Sequence, residues 1–212
     1  MNLSGYYNLD CMKGMKEIPD KYFDLAIVDP PYRDEEENDA NQCGRYYNGS
    51  RKKFISGGKP GPEYFKELYR VSKNQIIWGA NNFSGLIPPF KGFIVWRKLS
   101  ISENFNMSMA EIASLSEGLG TISKVYEQAP QGTQKEKRIH PTQKPVSLYK
   151  WILANYSKAG DMILDTHAGS ASCLIACEDI GRKYLAFEID REYYKASVKR
   201  LEDFNSQLRM KL

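Results

Sequence analysis

Histidine is scarce in this 212-residue chain: His140 and His167 are the only two, 27 positions apart. The four cysteines, Cys11, Cys43, Cys173 and Cys177, contain no Cys-x-x-Cys pair. With neither ligand spacing present, a metal centre is not expected, and the cysteines read as reduced or buried residues of a cytosolic chain. No apolar run approaches the roughly 18 residues of a helical membrane span, so no membrane contact is expected. Residues 1–10 have neither the basic start nor the apolar stretch of a signal or transit peptide, which makes the cytoplasm the expected compartment. Internal repeats and low-complexity tracts are missing too.

What is present is an ordinary globular composition, 42% hydrophobic and 26% charged, in a length that suits one domain over residues 1–212. The net charge of +4 permits a polyanionic partner without requiring one, and fourteen tyrosines supply ring faces able to stack on bases.

Residues 145–206 alternate helix, strand, helix, strand, helix. Pro145 opens a segment with Val146, Tyr149, Ile152, Leu153 and Tyr156 at helical spacing. Residues 162–164 read as a short buried strand, 171–180 as an apolar helix ended by Gly181, and 184–187 as a further strand. Tyr194, Val198, Leu201 and Phe204 form one face of a last helix. The first half adds strands at 23–28, 75–78 and 92–96 and a helix over about 62–72, which together predict an α/β fold with a single sheet. Residues 33–61 and 99–139 are polar and weakly periodic, and each is read as a long functional or mobile loop. In the first, Asp34, Glu35, Glu36, Glu37 and Asp39 precede Arg45, Arg51, Lys52 and Lys53. A solvated loop and a lid whose basic end closes on phosphates both fit that change of sign.

Two loops carry chemistry. Asp29-Pro30-Pro31-Tyr32 directly follows the apolar run at 23–28. Its prolines fix φ near about −65° and remove two donors, which leaves carbonyls free to accept from outside the chain. An acceptor cluster beside an aromatic ring suits a flat, amino-bearing ring. The second loop, Asp165-Thr166-His167-Ala168-Gly169-Ser170, joins a strand end to an acid, a glycine turn and a helix start, the form of a nucleotide-cofactor loop. Glu188, 23 residues after Asp165, ends the next strand near the spacing at which an acid takes ribose hydroxyls. A helix start at Ser170 would offer free N–H groups to a carboxylate or phosphate.

In combination these motifs resemble those of the S-adenosylmethionine-dependent DNA amino-methyltransferases. Asn8-Leu9-Asp10-Cys11, Trp78-Gly79-Ala80-Asn81, His140-Pro141-Thr142-Gln143-Lys144-Pro145 and Phe187-Glu188-Ile189-Asp190 resemble that family in sequence and order, over most of the chain. The tetrapeptide precedes the cofactor loop, as in the permuted β class. The resemblance implies a Rossmann-like methyltransferase fold: a mostly parallel, doubly wound sheet with helices on both faces, in circularly permuted motif order. It implies a compact stand-alone enzyme of restriction–modification type, similar to those of phages. Such an enzyme moves a methyl group from S-adenosylmethionine to the exocyclic amine of a flipped-out adenine in DNA, leaving S-adenosylhomocysteine.

Residue roles follow from the same resemblance. Asp29 and the Pro30 carbonyl would accept the two amino hydrogens, with Pro31 and Tyr32 completing the catalytic loop and Tyr32 stacking on the base. Asp10 and Cys11 fall at the adenine end of the cofactor, Glu188 on its ribose, and Asp165, Thr166, His167, Ala168, Gly169 and Ser170 along its methionine portion. Lys144 and His140 join them, Lys144 as partner of the methionine carboxylate in preference to a DNA phosphate, while a helix-entrance cap fits His140 equally well. Arg45, Arg51, Lys52, Lys53, Lys135, Lys137 and Arg138 are assigned to DNA. His167 and Ala171 stand where many similar enzymes have Phe and a second Gly. No Cys or Ser nucleophile is needed. Residues 99–139, where this family reads sequence, imply a small target-recognition insertion. Enzymes that methylate cytosine N(4) more often carry Ser at the position of Asp29, so adenine is favoured; N(4)-cytosine and an inactive DNA- or cofactor-binding homologue are the alternatives. Similar enzymes are often dimeric, which makes a homodimer the second candidate partner after DNA.

Overall fold

The computed structural model describes residues 2–33, 57–104, 108–130 and 137–209. Strand β2 (Phe23–Val28) is apolar almost throughout because both of its faces are covered. Leu25 and Ile27 point into one core, Ala26 and Val28 into the other, with the period of two that a strand imposes. Around it lie β1 (Gly5–Asn8), β3 (Ser72–Trp78), β4 (Gly92–Arg97), β5 (Ala110–Leu115), β6 (Lys124–Glu127), β7 (Met162–Asp165) and β8 (Lys183–Glu188), in the order β1-β8-β7-β2-β3-β5-β4-β6. β5 runs antiparallel to β3 and β4, and every other neighbouring pair is parallel.

Helices α3 (Val146–Tyr156) and α4 (Ser172–Asp179) bury Leu148, Ile152, Leu153, Leu174 and Cys177 against one face of the sheet. α1 (Cys11–Lys16) and α2 (Pro62–Val71) bury Met15, Phe65, Leu68 and Val71 against the other. The last helix, α5 (Arg191–Arg209), reaches β1, where Tyr6 and Tyr194 pack with ring centroids 4.7 Å apart. Arg70, in the last turn of α2, donates to the carbonyls of Met15 and Ile18, both at 2.8 Å, and so fastens the exit of α1. Cys11, Cys173 and Cys177 are free thiols; Cys43 falls outside the described residues.

The elements expected from periodicity are present with shifts of one to three residues at their ends. Two expectations are corrected. Residues 99–139 are not one long loop, because β5 lies between β3 and β4 in the main sheet and β6 forms its edge. And the first ten residues contribute β1, an edge strand parallel to β8, where no element was expected.

Gly14 shows how closely α1 sits on the sheet, since a Cβ there would lie 2.4 Å from the ring of the fully buried Phe187. Gly14→Ala is therefore expected to lower stability by about 1–2 kcal/mol, the overpacking exceeding the ~1 kcal/mol of helix propensity that alanine gains. Urea unfolding checks it, and an unchanged or raised midpoint would show that Phe187 can yield.

Candidate active site

β2 and β7 are neighbours, yet the chain leaves β2 toward β3 on one side and β7 toward β8 on the other. A crevice opens outside the carboxyl ends of parallel strands where the winding reverses in this way, and ligands of open α/β sheets bind there. Asp29 follows β2, Asp165 ends β7 and Glu188 ends β8, so all three arrive at this edge. A cavity of about 560 Å³ occupies it, and its wall includes both Asp29-Pro30-Pro31-Tyr32 and residues 166–170.

Both oxygens of Asp29 are engaged. Oδ1 accepts from the Tyr32 hydroxyl at 2.5 Å, and Oδ2 is ion-paired with the Lys144 ammonium. The Tyr32 ring lies over Gly79 and meets Phe83 edge-on at 6.1 Å. Only glycine suits position 79, where φ is +66° and a Cβ would come within 2.1 Å of the ring. Lys144 was expected beside a cofactor carboxylate; its buried ammonium instead touches Asp29 and, at 3.0 Å, Glu111 of β5. Burial disfavours the charged ammonium, but the Asp29 and Glu111 carboxylates outweigh it and raise the Lys144 pKa.

The opposite wall is built from residues 166–170. Glu188 Oε2 accepts the Gly169 N–H and Oε1 the Asp190 N–H, both at 2.8 Å, which ties the end of β8 to the turn. Burial pushes the Glu188 carboxyl up to about 6 against these two bonds. Asp10 caps α1 through the Met12 N–H at 2.8 Å, and Cys11 follows it in the wall, its thiol pushed up to about 12 by burial. Thr166 Oγ1 lies 2.6 Å from the Tyr64 hydroxyl and 2.9 Å from His167 Nδ1. Burial lowers His167 to about 4 and His140 to about 3, so both rings are neutral near pH 7. The His140 ring stands against Gly169 and Tyr193 and receives the Thr142 N–H on Nδ1 at 3.3 Å.

Three placements differ from the sequence reading. Asp165 is buried behind the loop and is not part of the cavity wall. Helix α4 begins at Ser172 instead of Ser170, and the N–H groups of His167, Ala168, Gly169 and Ala171 already bond within the fold, so they are not free to receive an anion. Ala171 does not enter the helix; it takes the left-handed conformation at φ +58°, which a second glycine would adopt without strain. Of the residues assigned to DNA, Lys137 is exposed and Arg138 half-buried, both away from the cavity wall, whereas Arg45, Arg51, Lys52, Lys53 and Lys135 fall outside the described residues. Sequence reasoning missed Glu111, Tyr64 and Tyr149 of the wall, which no motif or spacing marks. Among the described residues there is no metal-binding group of His, Cys, Asp and Glu, and no helix is long and apolar enough to cross a membrane.

This arrangement is the Rossmann-like methyltransferase fold. A solved structure, the M1.HpyAVI–SAM complex, matches with a TM-score of 0.64 and 20% identity, covering 92% of this chain and 98% of the other. Residues 97–199 match the family model described as DNA methylase, of the N6/N4 type. The type II methyltransferase M.HpaI of Haemophilus parainfluenzae is 24% identical over 234 residues, 92% of this chain and 74% of that protein. The DNA adenine methyltransferase YhdJ of Escherichia coli (strain K12) is 43% identical over 63 residues, 30% of this chain and 21% of that one. Over residues 97–199 the chain is thus similar to the N6/N4 family of DNA methylases.

Asp165 makes the site sensitive to pH. Burial raises its carboxyl to about 7, with the Asp29 and Glu188 charges adding to the rise and the His167 N–H opposing it. A carboxyl raised in the folded state contributes stability that is full below its unfolded value and disappears as pH climbs through about 7. Asp165→Asn removes that dependence while keeping an acceptor for the His167 N–H. Relative to the parent, the variant should be more stable at about pH 8 than at about pH 4 by on the order of 1–4 kcal/mol. Urea unfolding at the two pH values measures this difference, and equal differences at both would contradict it.

Proposed function

We propose that the protein transfers a methyl group from S-adenosylmethionine to the exocyclic amino nitrogen of adenine in DNA, with the base turned out of the duplex. The observation that carries this reading is one cavity shared by the Asp29 carboxylate and residues 166–170. Its volume of about 560 Å³ lies within the roughly 300–1,000 Å³ of small-molecule sites. Asp10, Asp29 and Glu188 place carboxyl groups in the wall, acceptors that fit a cationic ligand bearing hydroxyls. S-adenosylmethionine supplies an electrophilic sulfonium methyl and leaves as S-adenosylhomocysteine. Glu188 would receive the ribose hydroxyls on the lone pairs its two N–H bonds leave over.

An adenine amino nitrogen is a poor nucleophile because its lone pair is delocalised into the ring. Asp29 and the Pro30 carbonyl, by accepting its two hydrogens, would draw the nitrogen toward tetrahedral geometry and free that pair. The proton it sheds passes to Asp29 and then to solvent. The Tyr32 hydroxyl now occupies the Oδ1 position that the amino group would take. Base entry exchanges one donor for the other and leaves the Tyr32 ring to stack on the extruded base. Lys137 and Arg138, with the basic residues at 45, 51–53 and 135, are assigned to phosphate. Adenine is preferred over cytosine because Asp stands at position 29 and because a segment of the chain is similar to an adenine methyltransferase.

Incubation with radiolabelled cofactor and unmethylated DNA, followed by nucleoside chromatography, tests the reading. Label on N(6)-methyladenosine is expected; label on N(4)-methylcytosine would move the assignment to the other amine, and DNA binding without label would make the protein an inactive homologue. Asp29→Ala should keep the fold and cofactor binding yet abolish turnover, whereas turnover within about threefold of the parent would exclude Asp29 as an essential acceptor.

A further inference from the structure

The ion pair on Asp29 is one end of a line of alternating charges. Lys98, just beyond β4, places Nζ 2.5 Å from Glu111 Oε1. Glu111 Oε2 is 3.0 Å from Lys144 Nζ, and Lys144 reaches Asp29. Lys98 and Lys144 are 7% and 4% exposed, and their ammonium groups lie 5.2 and 5.1 Å from the ring centroids of Trp96 and Trp78. Two buried cations and two carboxylates thus sum to zero. Stability does not account for such a line, because apolar residues of equal volume are as good or better in a buried setting. Its position does, since Asp29, Lys144 and Glu111 all line the cavity.

We propose that Glu111 is a positioning residue for methyl transfer: by balancing the second buried cation, Lys98, it lets Lys144 stay paired with Asp29 beside the amino nitrogen. The inference rests on the amino-methyltransferase reading of the site. The amino nitrogen gains positive charge as its lone pair is used, before it sheds a proton. With Glu111 neutral, Asp29 would face two cations alone, and the nascent positive charge would form beside an unbalanced one. Removing Lys98 together with Glu111 restores neutrality.

The test compares the parent, Glu111→Gln and the double variant Glu111→Gln/Lys98→Met, reading kcat, KM for S-adenosylmethionine and for DNA, and the thermal midpoint of the unliganded protein. Glu111→Gln should lower kcat by about 30- to 100-fold with both KM values within about threefold, and lower the midpoint. The double variant should regain kcat to within about fivefold of the parent and recover most of the midpoint. A single variant within about threefold of the parent in kcat, or a double variant no faster than the single, overturns the proposal. If Glu111→Gln does not fold, the double variant decides alone: kcat within about fivefold supports charge balance, and a larger loss overturns it. A parent that moves no methyl group to DNA would be the failure of the proposed function instead, and the thermal midpoints read the charge line independently of turnover.

Discussion

A buried ion pair between Lys144 and Asp29 joins segments 115 positions apart, and the geometry of the site depends on it. Taking two charges out of water costs several kcal/mol for each, about what a buried pair recovers only when further partners complete it. Tyr32 completes Asp29 and Glu111 completes Lys144. The pair and its partners can form only when the end of β2, the segment entering α3 and the start of β5 meet at one place. A fold that brings them together therefore delivers an acceptor loop already oriented toward the cavity.

The wall opposite Asp29 is organised by a second carboxylate. Glu188 spends one lone pair on each of two backbone N–H groups, locking the turn at Gly169 to the end of β8. The turn needs left-handed backbone at Gly169, φ +51°, and again at Ala171, φ +58°. Alanine bears that conformation at a cost of about 1 kcal/mol, which the surrounding bonds must offset. With the loop N–H groups already committed, negative charge and aromatic rings, more than amide donors, define what this wall can hold. That character agrees with a sulfonium-bearing nucleoside.

Much of this was legible in the sequence. The strands β2, β7 and β8 showed as apolar runs because both faces of the sheet are covered, and the helices α2, α3 and α5 showed as faces of period 3.6 because each packs on one side only. The two chemical loops were visible through residue types that ordinary turns do not need together. β1, β5 and β6 were not visible. β1 and β6 are four-residue strands at the edges of the sheet, too short to show a period, and β5 places Glu111 and Ser114 among its apolar positions within a polar stretch. The partner of Lys144 was hidden for a different reason: nothing in a linear sequence distinguishes a lysine that meets a ligand carboxylate from one that meets a carboxylate of its own chain. Glu111 carried no signal because its role depends on strand order, not on spacing.

The most direct measurement is therefore on Lys144→Met, with S-adenosylmethionine affinity read by calorimetry beside methyl transfer to DNA. If Lys144 serves Asp29, affinity stays within about threefold of the parent while turnover falls on the order of 100-fold. Affinity falling in step with turnover would contradict this and return Lys144 to the cofactor.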